Sequence, residues 1–542
     1  MTAPDLSTSP RRWWALGALA LSVLIIGLDG TIINVALPTI ADDLGADSAQ
    51  LQWISGGYLL TLSACMLPVG ILGDRYGQKR LLLTGIGLFG VASLAGAVVG
   101  TTGAVIAVRT LLGVGAAMIM PLSMALLPRI FAKEEIPKAI AVWTAAAALG
   151  MPIGPVVGGW LLDHFWWGSV FLFNIPVVVV ALVAAAWLLP GDRAGTSKAR
   201  ARSARFDAPG TVLGAAAITA IVYGTILVPR DGWGSPAVLA SLIAGVVLAV
   251  AFVVRERTYA HPLVDLGLFS QRGFLWGTLM AIFGNFAIMG ILFVVPQYLE
   301  GVLGNDSLGT GVRVLPLMGG LLVSATLSEN LVPRFGARIV MPTGLAVLAA
   351  GALLGARLDS GDGYGFTALW LSVTGLGFGM VMVPATSMAL SSLTTENSGQ
   401  GASLLETVQQ LGGVLGVAGL GSLLSAGYLD RLSVTGLPDA AADAARDSVT
   451  ASNAVAGQLK NPDLLASGHA AFIHGMSLVL IACAVLSLLT AVLSAVFLPS
   501  RTKAPAPDTD DATDTAPDPA DDPVPTAAQG TPAPPSGKST LV

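Results

Sequence analysis

Apolar positions run in long stretches along this chain, separated by short polar segments. Fourteen stretches come close to or exceed the roughly 20 mostly apolar residues that a helix needs to cross a bilayer. They lie near 14–37, 52–72, 81–100, 104–127, 138–161, 169–189, 209–228, 237–254, 273–296, 310–331, 339–356, 366–390, 402–425 and 474–498. This pattern predicts an all-α polytopic membrane protein with fourteen transmembrane helices, numbered below as spans 1 to 14. The first stretch is longer than a signal-peptide core and lacks a small-residue cleavage site, so we predict that it is retained.

Composition supports the membrane prediction and narrows the possible chemistry. Of 542 residues, 54% are hydrophobic and 11% are charged, whereas soluble domains carry roughly a quarter charged residues. The two cysteines, Cys65 and Cys483, each lie inside an apolar run, which argues against a structural disulfide or a cysteine metal site. We expect no cofactor, no metal and no nucleic-acid partner, and a monomer in the lipid bilayer.

The distribution of basic residues predicts the orientation. When the spans alternate in direction, most of the 28 Lys and Arg residues fall in the loops on the side of the N-terminus. Arg75, Lys79 and Arg80 between spans 2 and 3 are examples. Because cytoplasmic loops carry the excess of basic residues, both termini are predicted to be cytoplasmic.

Two internal matches indicate a duplicated chain. The segment 72–79 after span 2 aligns with 331–338 after span 10, since both contain Arg-aromatic-Gly and end in a basic residue. In the second match, Gly113-x-Gly115 followed by Ser123-Met-Ala-Leu recurs as Gly377-x-Gly379 followed by Ser387-Met-Ala-Leu. Spans 2 and 4 then correspond to spans 10 and 12. The predicted architecture is six spans, two inserted spans and six further spans.

This repeat divides the chain into four parts. We predict a first six-helix bundle in 1–190, two inserted spans in 191–272, a second bundle in 273–499 and a cytoplasmic tail in 500–542. The tail is rich in Pro, Ala, Thr and Asp, and we expect it to be disordered. A long outer loop, 427–471, interrupts the second bundle. Its Ala-rich middle is predicted either to form a helix or hairpin lid or to be a tolerated insertion.

Three ionisable residues within the spans are candidates for proton coupling, because charges inside a membrane are costly and usually functional. Asp29 in span 1 and Arg109 in span 4 lie at similar predicted depths, so they can pair. Their pairing is either purely structural or part of a site that loads and releases a proton. Glu406 in span 13 has no obvious basic partner, which indicates proton or cation binding or, alternatively, a packing hydrogen bond. Asp29 and Glu406 are also candidate substrate ligands.

Span 5 carries a stripe of small residues. Ala146, Gly150, Gly154 and Gly158 lie four residues apart, so on a helix they form one bare face. Pro152 and Pro155 in the same turns predict a kink. Such a face suits a place where two bundles rock against each other, although ordinary close packing of helices would produce it as well.

Two motifs resemble signatures of a known family. The run Gly150-x-Pro152-x-Gly154-Pro155-x-x-Gly158-Gly159 resembles the fifth-helix antiporter motif of exporters in the major facilitator superfamily. The loop after span 2 resembles the cytoplasmic loop motif of the same superfamily, in which an acid and a base latch the cytoplasmic side shut. Its matching residues are Gly70, Asp74, Arg75, Gly77 and Arg80. Without the resemblance, the loop would be interpreted only as a positive-inside anchor.

The chain as a whole resembles the fourteen-helix drug:proton antiporters. Residues 28–38, Leu-Asp-x-Thr-Ile-x-Asn-Val-Ala-Leu-Pro, are similar to their first-helix signature. Residues 167–176, Trp-Gly-Ser-Val-Phe-Leu-Phe-Asn-Ile-Pro, look like the sixth-helix entry of the branch that exports quaternary ammonium compounds and cationic dyes. In span 4 a family glutamine is replaced by Leu112, which leaves the hydrogen-bonding partner of Arg109 open.

The resemblance implies a proton-coupled multidrug exporter of lipophilic cations in a bacterial cell membrane, with the proton gradient as energy source. It implies a central cavity with acidic and aromatic walls. By position in the spans, Trp53, Tyr58, Trp143, Asn285 and Phe286 are candidates for its walls, and ordinary packing is the alternative for each. A dedicated exporter of one endogenous antibiotic or metabolite would use the same scaffold. A membrane enzyme is disfavoured because no catalytic cluster converges at a membrane surface, and a sensor would not need two intramembrane acids.

Overall fold

A computed structural model describes residues 10–46, 48–132, 134–191, 207–259, 266–358, 363–393 and 398–498. Within these ranges the regular elements are all helices, and fourteen of them are long and apolar enough to cross a membrane. The prediction of an all-α protein with fourteen membrane helices is therefore confirmed. The predicted tail, 500–542, lies outside the described residues.

The helices are numbered here in chain order. Span 6 is interrupted at Phe173 and forms two helices, α6 and α7. The first group comprises α1 (Arg11–Leu44), α2 (Ser48–Tyr76), α3 (Gln78–Gly96), α4 (Thr102–Ile130), α5 (Ile136–His164), α6 (Ser169–Leu172), α7 (Asn174–Leu188), α8 (Ala208–Asp231) and α9 (Pro236–Thr258). The second group comprises α10 (Arg272–Gly301), α11 (Ser307–Phe335), α12 (Ala337–Gly355), α13 (Tyr364–Ser391), α14 (Ser398–Arg431), α15 (Asp439–Asp447), α16 (Val449–Leu459) and α17 (Pro462–Phe497).

The packing of the helices follows the same plan in each half. In the first half α1 packs on α5 and α7, and α4 packs on α2 and α3. In the second half α10 packs on α14 and α17, and α13 packs on α11 and α12. The halves meet where α14 contacts α2 and α4 and where α5 contacts α11 and α13. A central space therefore lies between the two sets of helices.

The glycine stripe of α5 packs against α1. A Cβ atom placed on Gly154 would lie 2.8 Å from the carbonyl oxygen of Leu28, and one on Gly150 would lie 2.6 Å from the amide nitrogen of the same residue. The stripe therefore packs within the first half and does not face the second, which corrects the sequence-based expectation. Contact between α5 and α11 is made elsewhere, where the carbonyl oxygen of Pro152 lies against Gly311.

The second half repeats this contact. Gly412 on α14 faces the carbonyl oxygen of Ile282 on α10, and Gly416, one turn later, faces the carbonyl oxygen of Phe286. These contacts match those of Gly150 and Gly154 with α1. The stripe on α5 thus has a structural counterpart on α14, at a spacing of 262 residues, although α14 lacks the prolines.

The structure also corrects the register of the repeat in span 4. Gly115 packs against the backbone of Gly85 on α3, and its counterpart by contact is Gly377, which packs against Gly344 on α12. The sequence match had paired Gly115 with Gly379 instead. The short matching motifs were therefore aligned two residues too far along the chain.

The predicted latch residues join the two halves at one end of the bundle, called here the basic end because Arg12, Arg75, Arg80 and Arg129 lie there. The two oxygens of Asp74 accept hydrogen bonds from the backbone N–H groups of Gly399, at 3.0 Å, and Gln400, at 2.7 Å. These N–H groups belong to the first turn of α14, where unsatisfied backbone donors favour an anion.

The other residues of the loop motif have the following surroundings. Gly70 lies against Ser403 and Gly399 of α14, where a side chain would not fit. Gly77 has a φ of 108° at the turn between α2 and α3, a conformation that favours glycine. The guanidinium of Arg75 lies 5.5 Å from the ring of Tyr76. Arg80 lies in the first turn of α3.

The segment between α14 and α17 is shorter than predicted. Because α14 runs to Arg431 and α17 begins at Pro462, the predicted loop 427–471 is reduced to 432–461. It contains α15 and α16, so its Ala-rich middle is helical. The side chain of Asn453 on α16 donates a hydrogen bond to the carbonyl oxygen of Gly301 at the end of α10, which ties this segment to the bundle.

We predict that Gly154→Ala destabilises the protein, because the new methyl group would meet backbone atoms of α1 that cannot move aside. Overpacking of this kind costs about 1–3 kcal/mol. Thermal unfolding of the purified protein in detergent measures the effect. Gly159→Ala is the matched control, since a Cβ there meets nothing within 4 Å. Equal unfolding temperatures for the two variants would contradict the packing described.

We predict that Asp74→Asn loosens the basic end, because an amide group replaces one of the two acceptors that hold α14. Spin labels at the exposed Thr84 on α3 and Ser391 on α13, in a background without Cys65 and Cys483, should show a longer and broader distance distribution. Asp42→Asn, an exposed position on α1, is the control. Unchanged distances in Asp74→Asn would argue against a latch.

Candidate functional site

Asp29 and Arg109 form a buried ion pair, as their predicted depths suggested. The Oδ2 atom of Asp29 on α1 lies 2.7 Å from Nη1 of Arg109 on α4. Each side chain is 1% exposed. A pair this deeply buried is stable only when its remaining hydrogen-bonding atoms also find partners.

Three further groups complete the pair. The side-chain amide of Asn174 donates to Oδ1 of Asp29 at 2.8 Å, and Nε of Arg109 donates to the carbonyl oxygen of Ile54 at 3.0 Å. The guanidinium also lies over the ring of Tyr58, 4.3 Å from its centroid. The replacement of the family glutamine by Leu112 therefore does not leave Arg109 without partners. Sequence reasoning missed Asn174, although a lone amide within an apolar span was the available signal.

A central cavity of about 580 Å³ lies between the two halves. Its wall is largely apolar, with methionine, leucine and isoleucine side chains from both halves. Tyr58, Trp143, Asn285 and Glu406 line it, as predicted. The indole N–H of Trp143 donates to Ser123 at 2.9 Å, which fixes the ring as part of the wall.

The other predicted wall residues lie elsewhere. Trp53 is 43% exposed on the outer side of α2, where its ring stacks on that of Tyr223 at 6.0 Å. Phe286 packs at the contact between α10 and α14 and does not line the cavity. Asp29 does not line it either, since Tyr58 stands between the ion pair and the cavity. Position along a span did not predict the face of the helix on which these residues lie.

Unlike Asp29, Glu406 has no basic partner among the residues that the structure describes. It lies on the cavity wall, is 4% exposed, and its Oε1 atom makes no hydrogen bond. Nearby, Gln409 accepts a hydrogen bond at its backbone from the amide of Asn285 at 2.7 Å, while its own side-chain nitrogen is unsatisfied. A buried carboxyl of this kind is stable as the neutral acid or with a bound cation.

No group of three or more His, Cys, Asp or Glu side chains within the described residues is arranged to hold a metal ion. The site therefore consists of a paired acid behind the wall and an unpaired acid on the wall.

We predict that the ion pair shows strong energetic coupling. Asp29→Asn or Arg109→Gln alone leaves one uncompensated buried charge and should cost about 3–5 kcal/mol. The double variant should cost clearly less than the sum. Denaturant unfolding in mixed micelles measures all three variants, with Asp430→Asn in the exposed Asp430–Arg431 pair as control. Additive losses would mean that the two charges are not partners.

The Major Facilitator Superfamily model matches residues 19–417 of this chain. Among curated proteins, the chain is 35% identical to the tetracenomycin C resistance and export protein of Streptomyces glaucescens, over 77% of this chain and 76% of that protein. It is 33% identical to the multidrug efflux pump LfrA of Mycolicibacterium smegmatis, over 89% and 96%. It is 32% identical to the methyl viologen resistance protein SmvA of Salmonella typhimurium, over 77% and 83%.

A solved structure supports the fold independently. The proton:xylose symporter XylE, bound to 6-bromo-6-deoxy-D-glucose, superposes with a TM-score of 0.58 over 91% of this chain and 96% of that one, at 14% identity. At this identity the similarity concerns the fold alone. With its fourteen membrane helices and its similarity to bacterial efflux proteins, this multi-pass bacterial membrane protein belongs to the major facilitator superfamily, among its drug and antibiotic exporters.

Proposed function

We propose that this protein exports lipophilic cations in exchange for protons by alternating access. The observation that carries the proposal is the unpaired Glu406 on the wall of a largely apolar cavity. An apolar wall favours lipophilic substrates, and a single carboxylate favours a positive charge. Aromatic faces at Tyr58 and Trp143 add to the attraction for a cation.

The exchange follows from electroneutrality at Glu406. When no substrate is bound, the carboxyl carries a proton, because a bare carboxylate is costly in an apolar cavity. A bound cation replaces that proton, since its positive charge compensates the carboxylate. Proton and substrate then compete for one group, which is the simplest basis of antiport.

The ion pair behind the wall has a separate role in the proposal. Asp29 releases Arg109 when it takes up a proton, so the guanidinium can move relative to Tyr58. Since Tyr58 lines the cavity, its position links the ion pair to the substrate. Two titrating acids allow two protons to enter for one monovalent cation that leaves. Each net charge moved through 100 mV is worth about 2.3 kcal/mol, so the membrane potential then contributes to export.

In this proposal the latch at the basic end, which is the end predicted to be cytoplasmic, controls the direction of access. The hydrogen bonds of Asp74 to the first turn of α14 support that role. Release of α14 from Asp74 would open the cavity toward the cytoplasm. Among the described residues of the cavity wall, Glu406 is the acid, so monovalent cations should be transported better than divalent ones.

A second candidate is a dedicated exporter of one antibiotic or metabolite. It is favoured by the similarity to the tetracenomycin C export protein, which shares the scaffold over most of its length. The two candidates differ in the range of substrates and not in the coupling mechanism.

We predict that ethidium efflux in energised cells is uphill, is abolished by a protonophore and is lost in Asp29→Asn. Asp163→Asn, at an exposed position near the end of α5, should pump normally. Absence of ethidium movement with the native protein would favour the narrow metabolite exporter. Pumping that survives the protonophore would contradict proton coupling.

We further predict that Glu406→Gln lowers the number of protons released per bound cation. Glu406 is the acid that carries a proton in the empty cavity and gives it up when the cation arrives. Proton release from the purified protein in weakly buffered detergent, on addition of saturating ethidium, measures this number. Asp163→Asn should release as many protons as the native protein. Equal release from Glu406→Gln would show that Glu406 does not titrate.

A further inference from the structure

The inserted helices α8 and α9 do not pack symmetrically on the two halves. Helix α8 lies along the seam between α2 and α14, while the main contact of α9 is with α8. The side chain of Arg255 on α9 bonds both oxygens of Asp207, which caps α8, and this hydrogen-bonded pair holds the pKa of Asp207 below its ordinary value. The two helices therefore form one hairpin whose inner member closes the seam.

Helix α8 forms part of the central cavity. Thr225 and Ile226 line the cavity together with Gln52 and Gly56 of α2. The side-chain amide of Gln52 donates to the carbonyl oxygen of Ile226 at 3.2 Å. Two residues after the end of α8, the indole N–H of Trp233 donates a hydrogen bond to the hydroxyl of Ser422 on α14 at 2.7 Å. These two side-chain hydrogen bonds tie the α8 region to α2 and to α14 beside the cavity.

A smaller cavity of about 120 Å³, called here the side pocket, lies at the same place. Three residues of its lining, Gln52, Gly56 and Ile226, also line the central cavity, so the two spaces share a wall. The stacked rings of Trp53 and Tyr223 line it as well, and these rings are 43% and 36% exposed. The exposed rings therefore place the side pocket next to the surface that faces the lipid.

We propose that the side pocket binds the cationic head of lipophilic quaternary ammonium substrates at the lateral passage between the central cavity and the membrane. This proposal rests on the proposed function. The faces of indole and phenol rings attract a quaternary ammonium group, and such a group cannot use a hydrogen-bonding site. The volume suits a head group and not a whole dye, so the alkyl chain lies in the surrounding hydrocarbon. Displacement of Ile226 from Gln52 joins the two spaces.

The aromatic pair has a plainer alternative. Tryptophan and tyrosine are enriched at membrane interfaces, where they act as anchors without binding substrate. Trp187 on α7 is a tryptophan of this kind, because its side chain is 86% exposed and it lines neither cavity. It provides a matched control for removal of a lipid-facing indole.

The test compares export of cetyltrimethylammonium with that of ethidium in proteoliposomes. For Trp53→Ala and Tyr223→Ala we expect the KM for cetyltrimethylammonium to rise about fivefold or more with kcat unchanged, and ethidium export to stay within about twofold. Trp53→Phe should restore most of the affinity, because a ring face remains. Trp187→Ala should change neither substrate. Equal effects of Trp53→Ala and Trp187→Ala would overturn the proposal in favour of interface anchors.

A second measurement tests the passage itself. Leu60→Cys on α2 and Leu227→Cys on α8, two positions in the lining of the side pocket, are joined by a short bismaleimide linker in a background without Cys65 and Cys483, which fixes α8 to α2 across the passage. We expect cetyltrimethylammonium export to fall by tenfold or more and ethidium export to persist. Loss of both substrates would show that α8 moves in every transport cycle and would overturn the lateral passage. Loss of ethidium export in the unlinked protein would instead count against the proposed function.

Discussion

A charged group inside a membrane must be paired, neutralised or bound to a counter-ion, and this constraint organises the structure. Asp29 is paired with Arg109 and accepts a hydrogen bond from Asn174. For Glu406 no basic partner is present within the described part of the chain. The first acid is therefore stable as an anion in the resting protein, whereas the second is stable only with a proton or a cation. The two acids therefore differ in what stabilises their charge: an arginine for Asp29, and a proton or a bound cation for Glu406.

The two halves share their close helix contacts but not their charges. Gly150 and Gly154 on α5 correspond by contact to Gly412 and Gly416 on α14. The same correspondence places Leu371 at the position of Arg109, and Pro333 aligns with Asp74 in the repeated loop. Small residues were retained because they set the distance between backbones in both halves. The ion pair and the acid of the loop motif are each present in one half only, so the duplicated scaffold is asymmetric at these two places.

Much of the fold could be predicted from the sequence because spanning helices leave a strong signal in apolar length. The pairing of Asp29 with Arg109 could be predicted as well, since two charges at similar depth have few alternatives inside a membrane. Which face of a helix each residue lies on could not be predicted. Trp53 and Tyr58 are five residues apart on α2, yet one faces lipid and the other the cavity, because both faces of a membrane helix are apolar and give no periodic signal.

The alignment of the repeat failed for a similar reason. Short runs such as Gly-x-Gly and Ser-Met-Ala-Leu are common in membrane helices, so an identity of letters does not fix the register. The contact of Gly115 with Gly85 and of Gly377 with Gly344 fixes it. The glycine stripe was likewise recognisable as a packing surface, but its partner helix was not, because a bare face is complementary to any other backbone.

Helix α14 carries or contacts several of the features described above. Its first turn is held by Asp74, and Glu406 lies about two turns further along. The glycines Gly412 and Gly416 of this helix pack against α10. Ser422, nearer its C-terminal end, accepts the hydrogen bond from Trp233. A rigid movement of this helix therefore changes the latch, the surroundings of the unpaired acid and the contact with α8 together. Contacts at the two ends of the cavity are thus linked without a long chain of interactions, because one helix carries all of them.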